Sequence, residues 1–192
     1  MTGDGFILAS ASPRRLDLLA RIGLTPDAVH PADINEDPID GELPGPHALR
    51  LACEKAQAVA ADNPGQVVLA ADTVVAVGRR ILPKTEERDE AQRCLTLMSG
   101  RSHRVFTGVA VVDADGLMRT RLSETRIKMK RLSDAEMRDY LDGGEWRSKA
   151  GGYGIQGRAG VFIHHLSGSY TGVVGLPVYE ARLLLNAAGV GS

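Results

Sequence analysis

The sequence predicts an α/β fold, in which a mixed β-sheet carries helices on its faces. Apolar runs rich in β-branched residues alternate along the chain with segments whose apolar residues recur at helical spacing, the order of elements expected of an α/β domain. The turn signal Asp115-Gly116 between two apolar runs adds an antiparallel hairpin, so the sheet is mixed. A length of 192 residues suits one domain, which we assign to residues 1–192.

The first predicted unit is a strand at residues 6–8 that runs directly into a helix. Ser12 stands at the N-cap position. Pro13 fits the first helical position because its fixed φ suits a helix and its missing N–H would have no partner there. The apolar face predicted for this helix contains Leu16, Leu19, Ala20 and Ile22.

Two arginines, Arg14 and Arg15, occupy the first turn of this helix, where the positive end of the helix dipole disfavours cations. Free N–H groups of that turn, the hydroxyls of Ser10 and Ser12 and two guanidiniums would together bind phosphate, because arginine contacts phosphate oxygens in a bidentate fork. The alternative is a pair of solvated arginines, with Asp17 relieving part of their repulsion. Their place between a strand and a helix favours the anion site.

The next part of the chain predicts a possible short strand at residues 26–32, an acidic loop at residues 33–38 and a long helix at residues 45–62. Lys55 falls beside or opposite the apolar side of that helix, and its surroundings alone do not mark it as functional. The residues assigned to the apolar side are Leu49, Ala52, Cys53, Ala56 and Ala60.

Asp72 interrupts the most apolar run, residues 67–77, which predicts a central strand covered on both faces. A buried carboxylate is costly unless it is paired, hydrogen-bonded or bound to a metal. Its small neighbours Ala70 and Ala71 leave room around it. The structural alternative is an aspartate that accepts hydrogen bonds within the fold, and we favour a functional carboxylate at a cleft.

The C-terminal half continues the alternation of strands and helices. A capping box, Ser133 to Glu136, opens one of its helices. The adjacent His164 and His165 would point to opposite faces of a strand, which argues against a metal-binding pair. The further predictions are a turn at 78–80, a helix at about 86–98, strands at 105–112 and up to 129, a strand at 161–166 and a helix at 178–188.

The glycine-rich segment 149–157 lacks both the ending of a P-loop and the spacing of a dinucleotide-binding fingerprint. Its glycines are therefore interpreted as positions where the backbone approaches a ligand or a neighbouring strand.

Composition excludes several classes of partner. A net charge of −1 and an aromatic content of 4% disfavour a nucleic-acid-binding protein, which would need a basic excess and stacking platforms. Cys53 and Cys94 lie far apart in helical patterns, which suggests reduced thiols. Residues 1–5 show no signal segment, and the longest apolar run is too short to span a bilayer. We therefore expect a cytoplasmic protein without a membrane or nucleic-acid partner.

Short motifs along nearly the whole chain resemble the signatures of the Maf family of nucleoside triphosphate pyrophosphatases. The resemblance implies an inosine-triphosphatase-like fold, an elongated α/β structure with two lobes around a cleft. It also implies hydrolysis of nucleoside triphosphates to the monophosphate and pyrophosphate with a divalent cation, Mg²⁺ or Mn²⁺, and a homodimer. The motifs are Ser10 to Arg15, Cys53-Glu54-Lys55-Ala56, Ala71 to Val75, the Leu-Met-Ser-Gly run ending at Gly100, Thr107-Gly108-Val109, Gly154-Ile155-Gln156-Gly157 and Gly175-Leu176-Pro177.

The same resemblance assigns roles to single residues. Asp72 matches the proton acceptor of the family, and Asp72 with Glu36 would hold the metal. The positions linked to base choice match the branch that acts on dTTP and UTP, and they are Arg14, Thr73 and Gln156. Further cleft positions of the family fall on Ser10, Arg15, Glu36, Lys55 and Lys84. One departure is that Lys84 stands in Leu82-Pro83-Lys84-Thr85 where the common pattern is Gly-Lys-Pro.

This chemistry agrees with the residue types. Cations at Arg14, Arg15, Lys55 and Lys84 would neutralise a triphosphate, and a positioned base would activate the water that attacks the α-phosphorus. Gln156 could hydrogen-bond the edge of uracil or thymine, although a flipped amide would serve cytosine equally. The alternative function is a nucleotide-binding regulator of septum formation without turnover. Only hydrolysis requires a carboxylate such as Asp72 inside an apolar strand, so we favour the enzyme.

Overall fold

The computed structural model of the protein describes residues 5–191. The α-helices are α1 (Pro13–Arg21), α2 (Pro44–Asp62), α3 (Arg88–Met98), α4 (Asp134–Asp142), α5 (Tyr170–Val174) and α6 (Val178–Ala187), and Arg158–Phe162 forms a 3₁₀ helix. The strands are β1 (Ile7–Leu8), β2 (Ala28–Val29), β3 (Val68–Val77), β4 (Arg80–Leu82), β5 (Lys84–Thr85), β6 (Ser102–Val112), β7 (Met118–Met129), β8 (Lys149–Ala150) and β9 (Ile163–Ser167).

Seven of these strands form one mixed sheet in the order β2-β1-β3-β6-β7-β9, with β4 paired to the end of β3. β1 runs parallel to β2 and β3, whereas β3, β6, β7 and β9 are antiparallel neighbours. β5 and β8 form a separate two-stranded sheet. The mixed α/β class predicted from the sequence is confirmed.

Three apolar clusters pack on this sheet. One lies between the sheet and helices α1 and α6 and includes Leu19, Leu69 and Leu185. A second lies on the far end of the sheet, under α3 and α4, and includes Val75 and Trp146. A third, made mostly of small residues, lies under α2 on the opposite face. The two larger clusters are thus separated along the strands, which leaves room for a cleft between them.

Helix α2 lies unusually close to β6. A Cβ atom at Gly108 would stand 2.4 Å from the carbonyl oxygen of Ala48 and 2.7 Å from the Cα of Leu49, so only glycine fits. This packing fixes the rotation of α2, and the apolar side predicted for it is only partly right, because Ala52 and Ala56 are buried as predicted. Leu49 and Ala60 are only partly buried. The buried residues of α2 are Pro44, Gly45, His47, Ala48, Leu51, Ala52, Lys55, Ala56 and Val59.

Most other predicted elements are present, with local differences. The capping box is confirmed, because Ser133 Oγ accepts from the N–H of Glu136 and the carboxylate of Glu136 accepts from the N–H of Ser133. In α1, Leu18 is buried and Ala20 is exposed, so the buried side of this helix differs from the predicted one at these two residues. None of the helices within residues 5–191 combines the length and apolar composition needed to span a bilayer.

Two turns differ from the sequence prediction. The β6–β7 turn contains residues 114–116, one more than the two-residue turn predicted, because the Asp113 side chain accepts the N–H groups of Asp115 and Leu117 and organises a longer loop. The strand predicted at 161–166 begins only at Ile163, since the residues before it form the 3₁₀ helix. The short helix α5 was not predicted, and it matters for the site.

Candidate active site

A cleft of about 390 Å³ opens where the edge of β3 has no strand partner. On this edge β1 pairs with Val68 and Leu69, and β4 pairs with residues from Val75 onward. The other edge of β3 pairs with β6 over its whole length between these points. The gap therefore exposes the middle of an otherwise buried central strand, and the cleft forms there.

Asp72 and Thr73 occupy this gap and line the cleft from opposite faces of β3. Asp72 faces α2, where it contacts Lys55, and Thr73 faces α5, where it contacts Thr107 of β6. Both side chains reach the same cavity because the cavity wraps around the strand edge. The sequence prediction of a carboxylate at a cleft agrees with this geometry.

Lys55 links two carboxylates. Its Nζ lies 2.7 Å from Asp72 Oδ1 and 2.5 Å from Glu36 Oε1, and Lys84 forms a further ion pair with Glu36. Burial alone would raise the pKa of Glu36, but hydrogen bonds from Lys55 and Lys84 outweigh it and lower that pKa to about 2. The expectation that Lys55 lies beside or opposite the buried side of α2 is wrong, because the lysine is on that side and only 7% exposed.

Arg15 is buried and engaged with the protein itself. Its Nε donates to the carbonyl oxygen of Gly175 at 2.8 Å, and Nη1 donates to Ser10 Oγ at 2.7 Å. Burial lowers the pKa of Arg15, with a smaller contribution from neighbouring Arg14, yet a guanidinium stays charged in proteins. Arg15 therefore ties the start of α1 to the segment after α5 and also lines the cleft, and its role in binding phosphate stays a prediction.

Arg14 and Ser10 keep groups for a ligand. Arg14 is half-buried in the cleft wall and forms no ion pair within residues 5–191; burial lowers its pKa. Ser10 Oγ accepts from Arg15 and from the N–H of Ser12, so its own hydrogen is free to donate to a phosphate oxygen. Ser12 caps α1 by position only, without a side-chain hydrogen bond.

The wall opposite α1 comes from the glycine-rich segment. Gln156 lines the cleft there and is exposed, so its amide can reach a ligand. Gly151 and Gly152 both have positive φ, and side chains at these positions would press on Val75 and Ala91. These glycines therefore serve close packing against β3 and α3, which is one of the two roles predicted for them.

Sequence reasoning missed two residues of this wall, Lys149 and Tyr153. Both line the cleft. Burial lowers the pKa of Lys149, as does nearby Arg14. The Tyr153 hydroxyl lies 2.6 Å from Nε2 of His103, a buried residue of β6. Their only sequence signal is that both flank the glycines of the predicted ligand-approach segment.

The two carboxylates of the cleft could bind a metal ion whose other ligands come from the substrate and from water. Asp72 and Glu36 approach each other through the shared Lys55, and no group of three or more possible metal ligands of the His, Cys, Asp or Glu type occurs in the described part of the chain. Mg²⁺ is commonly held by one or two protein carboxylates together with substrate phosphates and water. The two carboxylates are donors of the kind such an ion takes, and the ion would compete with Lys55 for both of them.

A family model and relatives of known name match this chain over almost its full length. The family model described as "Maf-like protein" matches residues 5–188. A protein named dTTP/UTP pyrophosphatase from Caulobacter vibrioides is 62% identical over 187 residues, covering 97% of each chain. One of the same name from Novosphingobium aromaticivorans is 59% identical, covering 96% of this chain and 92% of the relative. The crystal structure of a nucleoside-triphosphatase (dITP/XTP pyrophosphatase) from Mycobacterium abscessus aligns over 67% of this chain and 74% of that chain, with 16% identity and a TM-score of 0.40.

Proposed function

The chain belongs to the Maf family, and from this premise we propose that it hydrolyses dTTP and UTP to the monophosphate and pyrophosphate. Relatives at 54–62% identity carry the name dTTP/UTP pyrophosphatase. The single observation that carries the proposal is Asp72, a carboxylate only 3% exposed, on a central strand at the one point where that strand borders a cleft. The ion pair with Lys55 offsets the cost of burying this carboxylate, and its place at the border of the cleft is what favours a role in the reaction.

The phosphate chain of the substrate would lie among the cations of the cleft. Arg14 has no ion pair within residues 5–191, and the hydroxyl of Ser10 is free to donate. Lys55 and Lys84 already hold Glu36, so phosphate oxygens would compete with that carboxylate for their ammonium groups. Arg15 contributes positive charge from beneath while keeping its contact with Gly175.

Asp72 is the proposed proton acceptor. A water oxygen attacks the α-phosphorus, the bond from that phosphorus to the bridging oxygen of pyrophosphate breaks, and the water proton passes to the Asp72 carboxylate. Lys55 orients this carboxylate through its hydrogen bond to Oδ1. The cations that surround the outer phosphates then stabilise the leaving pyrophosphate.

A divalent ion, Mg²⁺ or Mn²⁺, is part of the proposal. Glu36 and Asp72 are the residues that would hold it, together with substrate oxygens. Such an ion would neutralise phosphate charge and polarise the phosphorus–oxygen bonds.

Base choice is proposed to rest on Thr73, Gln156 and Arg14, all of which line the cleft. The Gln156 amide offers both a donor and an acceptor to a pyrimidine edge. The resemblance to the family also supports action as a cytoplasmic homodimer. Light scattering of the purified protein would test the dimer.

The test of the function is a screen of the common nucleoside triphosphates with Mg²⁺ or Mn²⁺, in which pyrophosphate and orthophosphate are assayed separately. We expect pyrophosphate as the product, with dTTP and UTP preferred. Orthophosphate as the main product would contradict the mechanism. A preference for purine substrates would contradict the base assignment alone, and binding without release of either product would support the regulator.

A further inference from the structure

Three hydroxyl residues cross the sheet between its two large apolar clusters. Thr73 of β3 pairs with Thr107 of β6, which pairs with Ser123 of β7, so all three lie on the same face at one level. Two residues before Thr73 the strand belongs to the cluster under α1 and α6, and two residues after it to the cluster under α3 and α4. We call Thr73, Thr107 and Ser123 the hydroxyl seam.

The hydrogen bonds of the seam have a fixed direction. Thr107 Oγ1 donates to the carbonyl oxygen of Gly172 in α5 at 2.8 Å. A threonine hydroxyl has one hydrogen, so in its 3.0 Å contact with Thr73 the Thr107 oxygen must accept. The neighbouring N–H groups of Gly175 and Leu176 both donate to the carbonyl of Thr171, which leaves that of Gly172 to Thr107.

The Thr73 hydroxyl therefore donates its single hydrogen to another group of the protein. Its main acceptor is Thr107 Oγ1, at 3.0 Å. The other nearby acceptor is the carbonyl oxygen of Gly175, at 3.5 Å, which also belongs to the protein. What Thr73 offers to the cleft is oxygen lone pairs only. A polar ligand group in contact with this oxygen must then be a hydrogen-bond donor.

We propose that Thr107 is a positioning residue, which fixes the Thr73 hydroxyl as an acceptor and so makes the cleft prefer a base with an N3–H donor. Uracil and thymine carry this donor, whereas N3 of cytosine is an acceptor that would face another acceptor. Thr107 is 1% exposed and does not line the cleft, so it acts through Thr73. The inference rests on the proposed function and explains which pyrimidines the site takes.

The test compares kcat/KM for UTP and CTP in wild type and in Thr107→Val, which keeps the shape but removes the acceptor for the Thr73 hydrogen. The freed hydroxyl can then turn to donate to cytosine. We expect the UTP-to-CTP ratio to fall by about 3- to 10-fold, the range that one hydrogen bond contributes. Thr107→Ser, which retains the hydroxyl, should keep the wild-type ratio.

Thr125→Val is the matched control. Thr125 is equally buried, on β7, and its Oγ1 donates to the carbonyl of Ser169 and accepts the N–H of Ser169, at the start of the same helix α5. It therefore supports α5 without touching Thr73. We expect a lowered melting temperature comparable to that of Thr107→Val and an unchanged UTP-to-CTP ratio.

Several outcomes overturn the inference. An unchanged ratio in Thr107→Val removes the positioning role, and an equal loss in Thr125→Val shows that Thr107 merely supports α5. A wild type that takes CTP as readily as UTP shows that Thr73 is not a fixed acceptor. If Thr107→Val does not fold, Thr107→Cys is used in its place, because a thiol is only a weak hydrogen-bonding group. The UTP-to-CTP ratio of kcat/KM is again the readout, and it should again fall. Absence of pyrophosphate release from every substrate refutes the proposed function instead, and calorimetry with non-hydrolysable UTP and CTP analogues then measures the same preference as binding.

Discussion

The pairing of Lys55 with Asp72 makes a sharp prediction for Asp72→Asn. The amide oxygen can still accept from Lys55 Nζ, which also keeps Glu36, so the variant should fold. Loss of the proton acceptor should lower turnover by roughly 10²–10⁴-fold. Triphosphate binding should persist, because the negative charge of Asp72 no longer repels the phosphates. The four cleft cations also remain, which are Arg14, Arg15, Lys55 and Lys84.

Single-turnover kinetics on the folded variant, beside calorimetric titration with a non-hydrolysable UTP analogue, checks this prediction. Turnover near that of wild type would remove Asp72 from the mechanism. Failure to fold would favour a structural role for the carboxylate.

Arg15 and Arg14 should respond differently to alanine. Arg15→Ala removes two hydrogen bonds from buried groups, including that of Gly175, so we expect a loss of about 1–3 kcal/mol in stability as well as weaker substrate binding. Arg14→Ala removes a half-buried cation that opposes the helix dipole and has no ion pair within residues 5–191, so stability should change little. Thermal melts of both variants without nucleotide test the contrast. Equal stability of the two would place Arg15 among the purely ligand-binding cations.

His103 should make stability depend on pH. Burial lowers its pKa to about 4, below its ordinary value of 6.5. The unfolded chain therefore binds a proton first as the pH falls, so the contribution of His103 is complete above about pH 6.5 and is lost progressively toward pH 4. Glu36, with its pKa lowered to about 2, loses its contribution only below about pH 4.5.

Urea unfolding at several pH values between 7 and 4 measures this slope, and His103→Gln is the control. The control should lose stability less steeply over the same interval. An identical slope in the two proteins would mean that other groups cause it.

At the scale of elements, the contact between α2 and β6 sets the position of Lys55. In Gly108→Ala, the new Cβ would lie 2.4 Å from the Ala48 carbonyl oxygen, so the helix backbone itself must shift. We expect about 1–3 kcal/mol lower stability. Turnover should also fall although residue 108 does not line the cleft, because Lys55 would move away from Asp72.

Gly45→Ala is the matched control for this prediction. Its Cβ would meet only the side chains of Leu122 and Phe106, at 3.2 Å or more, and side chains can adjust. Turnover assays at equal folded concentration should therefore leave Gly45→Ala close to wild type. An equal loss of turnover in both variants would show that the exact position of α2 against β6 does not control the site.

The sequence predicted elements well where local signals were strong. The Pro13 start of α1, the capping box at Ser133 and the interrupted strand around Asp72 all depend on neighbours in the chain. The rotation of α2 does not depend on neighbours in the chain, because it is set by Gly108 of β6, 60 residues after Ala48. The burial of Lys55 was therefore not predicted. Helix α5 is too short to show periodicity, which is why its contact with Thr107 could not be predicted.

At the scale of the whole molecule, the site combines segments from nearly the full length of the chain. The resemblance to the Maf family supplied Glu36, Lys84 and Gln156 as cleft residues, and all three line the cavity. Composition and spacing alone could not have grouped them, because they lie far apart in the chain and come together only in the folded protein. The ion pair between Glu36 and Lys84 likewise depends on tertiary approach.

The bond from Arg15 to Gly175 joins residues 160 positions apart. During synthesis the N-terminal segment emerges first, so the guanidinium of Arg15 cannot form this bond until the segment that contains Gly175 has been made. Ser10, the other partner of Arg15, precedes it in the chain, so the two hydrogen bonds of this guanidinium become possible at different stages of synthesis. The tie between the start of α1 and the segment after α5 therefore forms only after Gly175 has been made.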